Sequence, residues 1–172
     1  MPRNIEIKAR IGSLQLLALR VAAIADSGPT EIVQDDTFFA CPHGRLKLRA
    51  FSPDDGQLIF YRRGDEAGPK ESFYLLSPTA SPDTLREALA HAYGQSGRVQ
   101  KRRTLFLVGR TRVHLDDVSE LGQFLELEVV LEDGEPAEAG VAEAHRLMAR
   151  LGVEQAQLVT GAYVDLLAGR GA

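Results

Sequence analysis

From Asn4 to Arg10 the chain alternates polar and apolar residues (Asn-Ile-Glu-Ile-Lys-Ala-Arg), the period of a strand with one apolar face. Ser13 then stands where a helix N-cap belongs. Leu14, Leu17, Val21 and Ile24 recur at helical spacing, which predicts a helix over residues 14–25, ended by Asp26-Ser27-Gly28-Pro29. Strand patterns follow at 31–39, 45–51, 57–63 and 71–76. The turn Ser52-Pro53-Asp54-Asp55-Gly56 joins two of them, and the stretch 64–70 reads as a hairpin loop. Ser81 as N-cap and Pro82 at the first helical position open a helix to about Tyr93, with Gly94 and Gly97 beyond it. Strands resume at 98–108, 111–115 and 123–131. The turn Asp133-Gly134-Glu135-Pro136 leads to a helix over 137–151, and a short one carrying Tyr163 and Leu166 is expected over 162–168. Many strands at hairpin spacing with a few helices between them indicate an α+β fold or a barrel, not a succession of βαβ units.

The polar halves of these strands are unusually ionic. Glu6, Lys8 and Arg10 share one face of the first strand, opposite Ile5, Ile7 and Ala9. Arg45, Lys47 and Arg49 share a face, as do Lys101 and Arg103. Arg110, Arg112, His114 and Asp116 alternate with Thr111, Val113 and Leu115, and Glu126 and Glu128 alternate with Leu125, Leu127 and Val129. One such strand alone reads as a sheet with a solvated side. Together they are poor in the Ser, Thr and Gln that usually fill a solvated face. If the strands close into a barrel with helices outside, the charges line its lumen. Lysines and arginines there attract polyphosphate through charge-assisted hydrogen bonds, and clustered carboxylates hold a hard divalent cation that bridges to phosphate oxygens.

Composition narrows the reading. At 172 residues, 44% hydrophobic and 26% charged, the chain suits one folded domain. A net charge of −4 argues against a nucleic-acid partner, since the basic residues are outnumbered overall. No apolar run is long enough for a membrane span, and the N-terminal residues lack the apolar core of a signal peptide, so a cytoplasmic location is expected. The lone Cys41 permits no internal disulfide and reads as structural.

The opening Asn4-Ile5-Glu6-Ile7-Lys8 resembles the N-terminal Glu-x-Glu-x-Lys signature of the CYTH superfamily of triphosphate-tunnel metalloenzymes. Further segments match in order: Gln34-Asp35-Asp36-Thr37-Phe38-Phe39, Gly44-Arg45-Leu46-Lys47-Leu48-Arg49, and Leu58 through Arg63 with Ser72-Phe73-Tyr74. Val99 through Arg103, Arg112-Val113-His114-Leu115-Asp116 and Leu121-Gly122-Gln123-Phe124-Leu125-Glu126-Leu127-Glu128 are similar to the class IV adenylyl cyclase branch. The resemblance runs from Asn4 to Tyr163, and its strength lies in the collinear set.

The resemblance implies a single CYTH-type domain over residues 1–172, built as a closed eight-stranded antiparallel β-barrel, a tunnel, with flanking helices. It implies Mg²⁺ or Mn²⁺ held by Glu6, Glu126 and Glu128, with Asp116 a further candidate. Lys8, Lys47, Arg49, Arg63, Lys101, Arg103 and Arg112 would grip the phosphates, and Glu6, Lys8, Asp116 and Glu126 would serve catalysis. The implied reaction is conversion of ATP to cyclic AMP and pyrophosphate. The alternatives are hydrolysis of an inorganic or organic triphosphate, and non-catalytic binding of a nucleotide or polyphosphate. Monomer and homodimer are both compatible with it. One departure stands out: the signature's first glutamate is Asn4, which offers a metal a carbonyl oxygen but no charge.

Single residues read more plainly. His114, in a strand of charged residues, is expected to serve as a structural or phosphate-contacting group ahead of a general base. His43 is expected to be exposed in its turn, and His91 to lie at the surface or boundary of its helix. Arg62 and Arg102, of opposite parity to Arg63 and Arg103, are expected outside any lumen.

Overall fold

The structure, a computed structural model, describes residues 2–64 and 67–170. Its elements in chain order are β1 (Arg3–Arg10), α1 (Leu14–Ala22), β2 (Ser27–Phe39), β3 (Arg45–Ser52), β4 (Asp55–Arg63), β5 (Lys70–Thr79), α2 (Pro82–Tyr93), β6 (Gln95–Val108), β7 (Thr111–Val118), β8 (Gly122–Val130), α3 (Ala137–Leu151) and α4 (Tyr163–Arg170), with a 3₁₀ turn at Gln155–Gln157. The strands form a closed ring in the order β1-β5-β4-β3-β2-β6-β7-β8, every pairing antiparallel. The α+β barrel expected from the sequence is therefore present. Among the described residues closure leaves no sheet edge open, since β1 pairs with β5 on one side and β8 on the other.

The alternation in sequence sets which side of the wall each residue takes. Ile7, Ala9, Val113, Leu115, Leu125 and Leu127 face outward and are buried beneath α1 and α3, against Leu17, Val21, Leu147, Met148 and Leu151. The core thus lies between wall and helices, and the ionic faces are left for the lumen. Close approach of α3 depends on Gly140, where an added Cβ would stand 2.6 Å from Ile5 Cγ1 and 2.7 Å from Leu131 Cδ2.

Boundaries differ from the sequence reading where pairing overrides local signals. Helix α1 is capped by Ser13, whose hydroxyl accepts from Leu16 N, but it ends at Ala22. Strand β2 begins at Ser27 and runs past the cis Gly28–Pro29 bond that the sequence reads as a breaker: β6 pairs with Ser27 and again from Thr30 onward, with a register shift across the two unpaired residues. Gly94 caps α2, whereas Gly97 belongs to β6 opposite Phe38. Of the 64–70 loop, residues 65 and 66 lie outside the described residues. His43, His91, Arg62 and Arg102 are exposed, as expected. Arg110 corrects its parity assignment. It sits in the turn before β7 and pairs outside the barrel with Glu135 at 2.6 Å and Glu143 at 2.9 Å.

Candidate active site

Every strand contributes inward residues two apart to one cavity of about 260 Å³. Asn4, Glu6 and Lys8 come from β1, Lys47 and Arg49 from β3, Arg63 from β4, Lys101 and Arg103 from β6, Arg112 and His114 from β7, and Glu126 and Glu128 from β8. The seven cations named from the sequence all line it, against the four carboxylates of Glu6, Asp36, Glu126 and Glu128. A chain of net charge −4 has therefore gathered a positive surplus inside its barrel.

Two carboxylates organise the cations. Asp36, 1% exposed, takes both nitrogens of the Arg49 fork at 2.8 Å, with Lys47 Nζ and Lys101 Nζ each at 3.2 Å. Burial opposes its charge, yet Arg49, Lys101 and Lys47 hold the carboxyl well below the usual range. Burial in turn pushes Lys47 down to about 7, with Arg49 adding to the shift. Asp116, fully buried, takes the Arg103 fork at 2.7 and 2.8 Å and accepts from the Tyr163 hydroxyl at 2.7 Å. Arg103 also donates to Glu126 at 3.2 Å. The sequence groups Asp116 with the metal carboxylates. The structure places it beside them, behind Arg103 and away from the cavity surface.

A second cluster faces the cavity. Ligand atoms of His114, Glu126 and Glu128 lie within 4.8 Å of one another. Burial, reinforced by Arg103, lowers His114 to about 4, so its ring is neutral at pH 7, and Nδ1 makes no hydrogen bond. Burial opposes ionisation of Glu126 and Glu128, but Lys8 and Arg103 beside the first, and Arg112 and Arg103 beside the second, keep both carboxyls low. Asn4 donates to Glu128 at 3.4 Å, and its buried Oδ1 has no partner. The Glu126 and Glu128 carboxylates and a neutral imidazole form a donor set of the kind that holds a divalent cation. Glu6 lines the same cavity but is engaged by Arg63, and burial raises its pKa against that pull.

One end of the cavity is closed by the C-terminal segment. Tyr163 packs edge-on against Phe124 at 5.0 Å between centroids, and Ala162 and Val164 join Phe38, Val99 and Val118. Lys8 stands 4.1 Å over the Tyr163 ring, donates to Gly161 O at 3.1 Å and lies 3.5 Å from Glu126. Burial, only partly offset by Glu126, lowers this lysine to about 8. Arg45, which shares strand parity with Lys47, reaches out to Asp165 of α4 at 2.6 Å.

Sequence reasoning did not single out Asp36, Gln34 or Tyr163 for the site, and ranked His114 below the carboxylates. For Asp36 the available signal was parity: it shares the even positions of Ile32, Gln34 and Phe38, while its neighbour Asp35 points outward to Arg98. Tyr163 carries no such signal, because its position depends on where α4 docks.

Comparison with known proteins agrees with this architecture. The CYTH domain family matches residues 2–163. Adenylate cyclase CyaB of Aeromonas hydrophila is 26% identical over 171 residues, covering 95% of this chain and 87% of that one. The PH1012 protein of Pyrococcus horikoshii superposes with a TM-score of 0.84 at 21% identity, covering 95% and 98%. HpAC1 of Hippeastrum, described as having a dominant triphosphatase activity, superposes with a TM-score of 0.63 at 15% identity, covering 98% and 95%. A closed antiparallel ring, a cation-rich lumen and a family match over nearly the whole length lead to one assignment: this chain belongs to the CYTH domain family.

Proposed function

We propose that this chain is a metal-dependent enzyme that binds a triphosphate in its tunnel and converts ATP to cyclic AMP and pyrophosphate. The observation that carries the reading is the convergence of seven cations and the His114–Glu126–Glu128 cluster on one cavity. The likeness to a bacterial adenylate cyclase over 95% of the chain supports the choice of reaction.

In this reading Lys47, Arg49, Lys101, Arg63, Arg112, Arg103 and Lys8 grip the phosphate oxygens. Glu126, Glu128 and His114 would hold Mg²⁺ or Mn²⁺, with Glu6 and the Asn4 carbonyl oxygen beside them; when bound it supplies counter-charge and acidifies the attacking hydroxyl. The ribose 3′-hydroxyl releases its proton to water as its oxygen bonds to the α-phosphorus, the bond from that phosphorus to the bridging oxygen breaks, and pyrophosphate departs with the electron pair. Lys8, held by Glu126 and Gly161, faces the charge that develops during transfer. Asp116 acts by fixing the Arg103 fork, and Glu6 by fixing Arg63. The segment around Tyr163 shuts bulk water out of one end.

The test is turnover of ATP with Mg²⁺ and with Mn²⁺, products resolved by chromatography, in wild type and Glu126→Gln. Cyclic AMP and pyrophosphate in equal amounts support the reading, with loss of turnover in the variant. ADP and phosphate as the only products would replace it with hydrolysis in the same tunnel. Tight triphosphate binding with no turnover would make the protein a binder.

A further inference from the structure

The register of the barrel brings two unlike kinds of donor to one point of the wall. Glu126 of β8 lies opposite Lys8 on one side and His114 on the other, and Glu128 lies opposite Glu6 and Arg112. Residues paired in this way hold their Cβ atoms ~5 Å apart. His114, 5% exposed, thereby faces two carboxylates, and its Nδ1 has no hydrogen-bond partner. Among the described residues no other three His, Cys, Asp or Glu side chains gather as closely.

The spacing suits an ion better than a hydrogen bond. His114 Nδ1 stands 3.5 Å from Glu128 Oε1, beyond the ~3.2 Å that usually bounds an N–H···O bond. Two donors bound to one ion at ~2.1 Å, at the tetrahedral angle, stand ~3.4 Å apart. The unbonded nitrogen is also costly where it is, because a buried polar atom without a partner keeps its desolvation penalty. An ion between the ring and the carboxylates removes that cost.

The oxygen half of the site is correspondingly thin. Of the inward positions of β1 ahead of Lys8, Glu6 is taken by Arg63 and Asn4 carries no charge. Mg²⁺ and Ca²⁺ draw their affinity from oxygen donors and gain little from an imidazole. First-row transition ions accept imidazole nitrogen readily, with affinity rising from Mn²⁺ to Cu²⁺ and falling back at Zn²⁺. Two carboxylates and one nitrogen therefore separate these two groups of metals, and the imidazole is the donor that separates them.

We infer that His114 makes this a transition-metal site: its Nδ1 binds the ion directly and selects Mn²⁺ and Zn²⁺ over Mg²⁺ and Ca²⁺. This rests on the metal-dependent reading above, which needs only a divalent cation, and narrows it to one class of metal and one selecting residue.

The experiment is calorimetry of the metal-stripped protein with Mg²⁺, Ca²⁺, Mn²⁺ and Zn²⁺ in turn, without nucleotide, for wild type and His114→Asn. Wild type binds Mn²⁺ and Zn²⁺ about tenfold or more tightly than Mg²⁺. His114→Asn offers an oxygen in place of the nitrogen, so it weakens Zn²⁺ and Mn²⁺ by about tenfold and leaves Mg²⁺ within about twofold. Electron spin-echo spectra of the Mn²⁺-loaded wild type give a readout that needs no variant. A coordinated histidine nitrogen modulates the echo, and labelling histidine with heavy nitrogen alters the pattern. Spectra without nitrogen coupling overturn the inference, as does a variant whose order of preference among the metals matches wild type. Both outcomes leave the metal-dependent reading in place. Failure of wild type to bind any of the four ions overturns the metal site and the inference together.

Discussion

Replacing Asp36 by asparagine would take the one negative charge out of a knot that holds Arg49, Lys47 and Lys101. At ~3.2 Å each contact is worth roughly 5 kcal/mol before desolvation, at an effective dielectric of 20. Removing one partner of a buried pair costs about 3–5 kcal/mol, because the charge left behind keeps its desolvation penalty. Lys47, already near 7, relieves part of this by shedding its proton, so the lower end applies. For a chain of this size about 3 kcal/mol lowers the melting temperature by roughly 6–12 °C. The loss should deepen as pH falls from 8 to 6, because acid forces the proton back onto Lys47 beside two uncompensated cations.

Ligand should act in the opposite direction. In the proposed reading Asp36 competes with phosphate for the same three cations, so Asp36→Asn should bind tripolyphosphate more tightly. A tenfold gain adds about 1.4 kcal/mol to the stabilisation at saturating ligand. The assay is a thermal melt with and without tripolyphosphate at pH 6 and pH 8. Variant and wild type melting together without ligand would refute the claim that Asp36 restrains the cations. So would a smaller ligand-induced shift in the variant, which would mean that Asp36 shapes the phosphate site instead of competing with phosphate for it.

Lys47 and Lys8, lowered to about 7 and about 8, lie below their unfolded values, so the ligand-free chain gains stability as pH rises from about 7 towards 10. A bound triphosphate favours their charged forms, so binding should take up protons at pH 8 and weaken above it; calorimetry in two buffers of different ionisation enthalpy reads this, and zero uptake would contradict it. Tyr163→Phe removes the hydroxyl that Asp116 accepts, and should cost about 1 kcal/mol and lower kcat more than it raises KM, since Arg103 loses its fixed anchor. A change in stability alone would leave Tyr163 as packing. Asn4→Glu should lower the half-saturating Mg²⁺ concentration while destabilising the metal-free protein, because the new carboxylate would face Glu128 across the 3.4 Å now spanned by an amide; unchanged metal affinity would place Asn4 outside the metal shell.

Parity made most of the site legible in advance. Once Ile5, Ile7 and Ala9 are assigned to the buried side of β1, Glu6 and Lys8 must point to the lumen, and the same holds for Lys47 and Arg49 against Leu48. Each strand then fixes its own charges without knowledge of its neighbours. Parity says which side a residue takes, but not whom it meets there. Arg103 and Lys101 are neighbours on one face of the same strand, yet one is locked to Asp116 and the other to Asp36. That division follows from β6 lying between β2 and β7, a pairing with a partner some 65 residues away that no local pattern encodes. Arg110 fell on the wrong side for a related reason, since alternation lapses at the turn before β7.

The same limit explains why the anions of the site were harder to sort than its cations. A phosphate-binding cation needs only to face the lumen, so a strand pattern suffices to nominate it. A carboxylate in the same lumen has two uses: neutralising a neighbour or holding a metal. Asp36 and Asp116 are surrounded by donors that take their oxygens, and the charge they remove lets several cations pack together before any phosphate arrives. Glu126 and Glu128 are paired too, but they converge with an unbonded imidazole on the cluster proposed to hold the metal. In the proposed reading, restraining cations and binding a metal thus fall to different carboxylates in one barrel, and only the distances between strands separate the two.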